Sequence, residues 1–153
     1  MNTAKQNSHK EVSYISKAPE KPVSDGSGVQ NIPNPAKVRQ GGDDIASAVE
    51  ITEMPYSNTG TTEGFTNTID ESCEEFSVST APDVVYSYSP TEDCDLDVSL
   101  EGSSFNTKLY IYHYFNSAYT LIGCNEDFEW EFNTSAIYGQ PLVAGGLYYI
   151  VVD

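Results

Sequence analysis

Apolar and polar side chains alternate along much of the chain after residue 56. In the stretch 94–100 every second residue is apolar, and the positions between carry aspartate or serine. Residues 107–115 repeat the pattern. One face of this stretch has Leu109, Ile111, His113 and Phe115, and the opposite face has Lys108, Tyr110, Tyr112 and Tyr114. A period of two is typical of a β-strand with one buried face. Both stretches are therefore predicted to be strands.

Further strands are predicted before and after these two. The run 84–89 alternates and ends at Pro90, and Tyr119–Cys124 is expected to be the return strand of a hairpin. Leu147–Val152 is almost continuously apolar, which indicates that both of its faces are buried. Shorter strands are expected at 56–60, 61–65 and 132–137. Many short strands separated by turn residues indicate an all-β sandwich or barrel with antiparallel strands.

The first 40 residues lack this regular alternation. They are polar, contain four prolines and include the Ser/Gly-rich cluster 24–28. Such a segment buries too little apolar surface to offset the conformational entropy of the chain. We predict a flexible tail or linker over 1–40, with a short strand at 12–15 as the end of a preceding domain, and one folded domain over 41–153. At the start of that domain, residues 43–49 are expected to form a helical turn.

The net charge of −16 is unevenly distributed between these two parts. Residues 1–40 carry six basic and three acidic side chains, a net charge of +3, whereas residues 41–153 carry one basic and 20 acidic side chains, a net charge of −19. The acidic segment 41–153 repels phosphate backbones and anionic lipid surfaces. This charge argues against nucleic acid and membranes as partners. Divalent cations are favoured because they relieve the repulsion.

Three cysteines, Cys73, Cys94 and Cys124, lack the CxxC spacing of a zinc site. In an oxidising compartment they allow one disulfide with one thiol left over, and the sequence does not choose among the three pairings. No apolar run is long enough to span a bilayer, and the N-terminus lacks the apolar core of a signal peptide. If the protein is secreted, we expect its signal to lie outside this chain.

Six segments, in order along residues 42–153, carry a resemblance to a known family. They are Gly42–Ala48, Met54–Ser57 with Gly60–Thr62, Ala81–Tyr88, Ser103–Tyr112, Cys124–Asp127 and Ala144–Asp153. Together they resemble bacterial pre-peptidase C-terminal domains, which are related to the collagen-binding domains of clostridial collagenases. The resemblance implies a jelly-roll-like β-sandwich attached to secreted proteases or other exported bacterial proteins. It also implies a calcium site, because some members of the family bind calcium near the N-terminal segment.

The chain departs from the family pattern in three places. The family continues after the last apolar strand with a Gly-rich turn and one more strand, so the sandwich is expected to lack its final strand here. Asn106 stands where the family more often has aspartate, and Glu126 replaces another aspartate. Both changes weaken the transfer of a metal site residue by residue.

Two acidic groups are candidates for calcium, which takes carboxylate and carbonyl oxygens as ligands. The first is Asp43 with Asp44, completed by a loop acid such as Asp70 or Asp83; the alternative is that these aspartates cap a helix. The second surrounds Asp127, with Asn125, Glu126 and Glu129 nearby. For this second group the alternative is a solvated acidic turn.

Aromatic residues are the candidates for ligand binding. Tyr110, Tyr112 and Tyr114 share one strand face, and exposed tyrosines can stack on sugars or on a fibrous protein. The alternative is that the rings pack in the sandwich. Trp130, in the second acidic region, is the other candidate surface anchor.

These features predict a non-catalytic accessory domain that binds an extracellular polysaccharide or protein surface as part of a larger bacterial chain, such as a peptidase. No Gly-x-Ser-x-Gly nucleophile motif or phosphate-binding glycine loop is present, and His113 is expected to be structural. Two alternatives remain open. One is a glycosidase that uses Glu126 and Glu131 as paired acids, and the other is a structural spacer without a ligand.

Overall fold

The computed structural model describes residues 8–16, 40–73, 79–127 and 134–153, and the fold of these residues is all-β. Two sheets lie face to face as an open sandwich, which confirms the predicted fold class. A single 3₁₀ turn, Ile45–Ser47, accompanies the strands in the described part of the chain. The strands are β1 (Ser8–Ser16), β2 (Val49–Ile51), β3 (Tyr56–Gly60), β4 (Val84–Tyr88), β5 (Cys94–Ser99), β6 (Leu109–Phe115), β7 (Ala118–Asn125), β8 (Ala136–Leu142) and β9 (Leu147–Val152).

The larger sheet has five strands in the order β2-β4-β9-β6-β7. Strands β4, β9, β6 and β7 are antiparallel to their neighbours in this series, and β2 runs parallel to β4. The predicted hairpin of β6 and β7 is confirmed. Its turn places Asn116 and Ser117 at positive φ angles of 49° and 63°, the combination that suits the right-handed twist of paired strands.

The smaller sheet has the order β3-β1-β5-β8. β5 and β8 are antiparallel and shift register between Leu96 and Val98. β1 runs parallel to both β3 and β5, so this sheet is mixed rather than wholly antiparallel. The short strand expected at 12–15 is confirmed, but β1 is longer, and it pairs with two strands of the sandwich although it lies inside the segment expected to be a tail. The remainder of that segment, apart from Gln40, lies outside the described residues.

The core lies between the two sheets and uses the apolar faces that the alternation predicts. Leu96, Val98, Ile111 and Ile150 are all at most 1% exposed. Burying an aliphatic side chain of this size contributes about 1.5–3 kcal/mol to folding, and these four represent a larger cluster. Cys94, which lies outside the Cys73–Cys124 disulfide, belongs to the same cluster.

A second apolar cluster lies on the outer face of the five-stranded sheet, where a covering layer that includes Ile69 and Cys73 packs on the strands. It consists of Cys73, Val85, Tyr110, Tyr112 and Val151, with Ile45, Ala48 and Ile69 packed against them. The central strands of this sheet are therefore buried on both faces, as the continuous apolar run of β9 predicts. The disulfide between Cys73 and Cys124 ties the covering segment to β7.

Two of the predicted elements differ from the structure. Residues 61–65 were expected to form a strand, but they form a loop in which the Phe65 amide donates to the Thr62 carbonyl at 3.1 Å. The strand expected at 132–137 begins instead at Ala136 and continues to Leu142. Residues 132 and 133 lie outside the described part.

Candidate functional site

Three tyrosines form an aromatic cluster on the outer face of the five-stranded sheet. The ring centroids of Tyr114 and Tyr119 are 4.8 Å apart, and those of Tyr119 and Tyr149 are 5.8 Å apart. Tyr119 is 49% exposed. Beside the cluster lies a groove of about 460 Å³, which we call the aromatic groove. It is lined by Asp44, Ile45, Ala46, Thr68, Ile69, Tyr119 and Tyr149.

The strand pairings position the aromatic rings. Tyr114 on β6 lies directly opposite Tyr119 on β7, and residues opposite each other on adjacent strands have their side chains on the same face. Tyr149 comes from β9, the neighbour of β6 on its other side, where it lies opposite Tyr112. Three adjacent strands therefore contribute one ring each, on backbone that the sheet hydrogen bonds hold in place.

The wall of the groove is the turn that begins at Asp44. The Asp44 Oδ1 atom accepts hydrogen bonds from the Ser47 amide at 2.8 Å and from the Ser47 hydroxyl at 2.7 Å. The hydrogen bond from the Ser47 side chain, followed by that from its amide, lowers the pKa of Asp44, which is therefore charged at neutral pH. Gly42 joins this turn to β4 through a pair of hydrogen bonds with Val85. A Cβ atom at Gly42 would overlap the Ser47 carbonyl, so the close approach requires glycine.

The three tyrosines predicted as ligand-binding residues fall into two environments. Tyr110 is fully buried and Tyr112 is 6% exposed, because the covering layer lies over both. Burial raises the pKa of each phenol. Tyr114 is half-buried and belongs to the aromatic cluster. The faces of Tyr110 and Tyr112 are thus not available to a large ligand, and packing is their role, as the alternative interpretation held.

Two residues of the cluster, Tyr119 and Tyr149, were not among the predicted site residues. The hairpin prediction contained the signal for Tyr119, because a tight turn at 116–117 puts residue 119 opposite residue 114. Tyr149 lies in the continuous apolar run of β9, where no alternation of apolar and polar residues shows which side chains lie on the outer face of the sheet. Trp130, the other predicted anchor, lies outside the described residues.

Among the predicted calcium ligands, Asp43 and Asp44 already have hydrogen-bond partners within the fold. Asp44 caps the 3₁₀ turn, as the alternative interpretation proposed. The Asp43 carboxylate accepts from the Thr66 amide at 2.6 Å and from the Thr66 hydroxyl at 3.0 Å. Asp127 follows β7, where its carbonyl accepts from the Asn125 side chain at 3.4 Å. Over the parts of the chain that the structure describes, no three His, Cys, Asp or Glu side chains are grouped to hold a metal.

Asp83, which was suggested as a completing loop acid, lies fully buried at the start of β4. Its Oδ2 atom accepts from the amides of Thr68 and Ile69 at 2.6 and 2.7 Å. Its Oδ1 atom is buried and has no hydrogen-bond partner among the described residues. Desolvation raises the pKa of Asp83, the hydrogen bonds oppose the increase, and the nearby charge of Asp70 adds to it. The Thr68 hydroxyl also lies 3.4 Å from the Asp43 carbonyl oxygen, which links the two aspartates.

A second buried polar region lies at the end of β9. Asp153 accepts hydrogen bonds from the hydroxyls of Ser79 and Tyr110, and burial raises its pKa to about 6. Lys108 is buried in the same region and forms an ion pair with Glu126 at 3.5 Å. A cavity of about 250 Å³ lies among these groups. Both carboxylate oxygens of Asp153 accept hydrogen bonds, whereas the buried Glu126 Oε2 atom has the Lys108 ion pair and no hydrogen-bond donor among the described residues.

The glycosidase hypothesis required Glu126 and Glu131 to act as a pair of acids. Glu126 is held by Lys108, while Glu131 lies outside the described residues, so the separation of the two carboxylates is not defined. The cysteines are better defined: of the three pairings left open, Cys73–Cys124 is formed. That bond is compatible with an extracellular location.

Comparison of the chain with protein-family models, with curated proteins and with solved structures gave no match. Across the described ranges, no helix has both the length and the apolar character needed to cross a bilayer.

Proposed function

We propose that this chain is a non-catalytic carbohydrate-binding domain of an exported protein, and that the aromatic groove is its binding site. The observation that carries the proposal is the cluster of Tyr114, Tyr119 and Tyr149 on rigid strands, next to an open groove with a charged wall. The faces of sugar rings are apolar and stack on tyrosine, and the hydroxyls around their edges need polar partners.

The groove supplies both kinds of contact. Tyr119 and Tyr149 form an aromatic surface, Asp44 offers a charged carboxylate, and Thr68 offers a hydroxyl. Its volume of about 460 Å³ falls within the range of roughly 300–1,000 Å³ typical of small-molecule sites. A site of this size holds a short stretch of a polysaccharide rather than the whole width of a protein fibre.

Charge narrows the class of polysaccharide. Residues 41–153 carry a net charge of −19, which repels sulfated or uronate-rich chains. We therefore assign neutral or amino-sugar polysaccharides as the ligand class. Binding would hold an exported parent protein on an extracellular surface, in keeping with the resemblance to pre-peptidase C-terminal domains and with the disulfide.

The direct test is a depletion assay with insoluble chitin and cellulose, run beside fibrillar collagen and an acidic polysaccharide gel. We expect chitin or cellulose to remove the chain from solution, and the acidic gel to leave it there. Binding to collagen alone would favour a protein-binding domain instead. Retention of the chain in solution with all four materials would favour the structural spacer.

A second candidate function, calcium binding, is supported by Asp83. A buried carboxylate oxygen without a hydrogen-bond donor is energetically costly, and a bound cation would remove that cost. Asp70 lies close enough to raise the pKa of Asp83, so two carboxylates share one region. Because calcium takes six to eight oxygens, backbone carbonyls and water would have to complete the set.

A further inference from the structure

β1 is held between two strands that are far from it in the sequence. It pairs with β3 at five positions, from Val12–Tyr56 to Ser16–Gly60, and with β5 at six, from Ser8–Cys94 to Ser13–Ser99. In the described sheet, β1 is the only neighbour of β3. The two pairings overlap at Val12 and Ser13, so β1 bridges the two strands: residues 8–13 pair with β5 and residues 12–16 pair with β3. We call the two strand edges that β1 joins the slot between β3 and β5.

The contacts that fill this slot do not depend on which chain supplies the strand. Strand pairing uses backbone groups, and of the β1 side chains the core cluster includes Val12, which is 2% exposed. A strand of identical sequence from a second molecule would make the same hydrogen bonds and bury the same valine. Exchange between molecules would thus conserve the interactions of the folded state.

The connection between β1 and the rest of the sandwich is long. Twenty-three residues, 17–39, separate Ser16 from Gln40, and a chain of that length can span up to roughly 80 Å. That reach exceeds the size of one small domain, so β1 can extend to a neighbouring molecule. A long connection also lowers the effective concentration of β1 at its own slot to a value on the order of millimolar or below.

Charge favours the same encounter. Residues 1–40 carry a net charge of +3 and residues 41–153 a net charge of −19, so the N-terminal segment of one molecule is attracted to the body of another. The acidic 41–153 parts of two molecules repel each other. The long connection 17–39 allows the N-terminal segment of one molecule to bind the other molecule while the two acidic parts remain apart.

We propose that the slot between β3 and β5 is a strand-acceptor site, and that its partner is the Ser8–Ser16 strand of a second copy of this chain. Two chains exchange β1 reciprocally and form a dimer in which each sandwich is completed by the other. Since the intramolecular strand competes, the dimer fraction rises with the concentration of the chain, and it is highest where many copies gather on one surface.

The register offers a direct test, because Ser8 lies opposite Cys94, the cysteine outside the Cys73–Cys124 disulfide. A Ser8→Cys variant of the full chain brings two thiols together across β1 and β5. Equal amounts of ¹⁴N- and ¹⁵N-labelled variant are mixed at high concentration, loosened in mild denaturant, refolded and oxidised. Ser13→Cys, which lies opposite Ser99, is the matched control, since it places no cysteine beside Cys94.

Peptide mapping then reports which chain supplied the strand. We expect residue 8 to be linked to residue 94 with mixed isotopes, in a covalent dimer whose share grows with concentration and is absent from Ser13→Cys. Links that join only peptides of the same isotope at every concentration would overturn the proposal. So would the absence of any link between residues 8 and 94, because β1 would then not occupy the slot at all.

Discussion

The hydroxyl of Tyr110 donates a hydrogen bond to the Oδ2 atom of Asp153 at 3.2 Å. Both residues are buried, at 0% and 2% exposed, so this contact lies inside the protein. The other carboxylate oxygen of Asp153 accepts from Ser79 at 2.7 Å. Tyr110 is therefore not accessible at the surface: its ring lies beneath the covering layer, and its hydroxyl stabilises a buried acid.

Asp153 makes the stability of the protein dependent on pH. Its folded-state pKa of about 6 is above the usual value of 3.8, so the folded chain holds this proton more tightly than the unfolded chain does. As pH rises from about 4 through 6, the free energy of unfolding therefore decreases, by at most about 3 kcal/mol from this group. Urea titrations at a series of pH values would measure the decrease.

The variant Asp153→Asn isolates this contribution. Its amide oxygen can accept one of the two hydrogen bonds, its NH2 group can only donate, and the side chain cannot ionise. The variant therefore loses stability at low pH, but the difference in stability should shift in favour of the variant between pH 4 and 7. The control is Glu101→Gln, at an exposed turn position. Parallel pH profiles for Asp153→Asn and the unchanged chain would show that Asp153 titrates normally.

Two residues of β6 test the packing of the core. Ile111 and Phe115 lie on the same face of β6, but Ile111 is fully buried and Phe115 is 64% exposed. We expect Ile111→Ala to lower the free energy of unfolding by about 2–5 kcal/mol, because it leaves a cavity between the sheets. Phe115→Ala should change it by about 0.5 kcal/mol or less. Equal effects in chemical denaturation would show that the two sheets do not pack as described.

The strands of the core could be predicted from the sequence because their signal is local. The strict alternation of 94–99 matches the burial pattern of β5, and the apolar run of β9 reflects two covered faces. Burial of Tyr110 and Tyr112 was one of two interpretations of the sequence, and it could not be decided there because the layer that covers them comes from the 66–73 loop, which has no periodicity. The place of β1 was also inaccessible, since its partners lie about 40 to 85 residues away in a polar context.

Reduction of the disulfide should loosen that covering layer. The bond between Cys73 and Cys124 closes a loop with a sequence separation of 51, and a cross-link of this length stabilises the folded state by about 4 kcal/mol on chain-entropy grounds. We expect the double variant Cys73→Ser/Cys124→Ser to be about 2–4 kcal/mol less stable. It should also bind more of a dye that reports exposed apolar surface, because Tyr112 and Val151 lose part of their cover.

The control for the disulfide is the response to reductant. Reductant should destabilise the unchanged chain and leave the double variant unaffected, since the variant lacks both cysteines of the Cys73–Cys124 disulfide. If reductant changes the stability of both proteins equally, the effect does not come from this bond.

Calcium binding at Asp83 predicts a thermal shift. A ligand at 100 times its dissociation constant stabilises a protein by about 2.7 kcal/mol, which corresponds to a rise of roughly 5–10 °C in Tm for a chain of this size. We expect chelator to lower the Tm by that amount in the unchanged chain and to have no effect on Asp83→Asn. Asp97→Asn, on β5, serves as the control and should keep the response. A Tm that chelator leaves unchanged in all three proteins would exclude the site.

The carbohydrate proposal depends on Tyr119, because it is the most exposed ring of the aromatic cluster. Removing a stacking tyrosine costs about 1–1.4 kcal/mol of binding free energy, so Tyr119→Ala should weaken adsorption to the bound polysaccharide roughly five- to tenfold. Tyr119→Phe keeps the ring and should lose much less affinity.

The matched control is Tyr138→Ala. Tyr138 is also 49% exposed but lies on β8 of the other sheet, so its loss should leave adsorption unchanged. Equal losses for Tyr119→Ala and Tyr138→Ala in adsorption isotherms would mean that binding is spread over the surface, and the aromatic groove would no longer be the site.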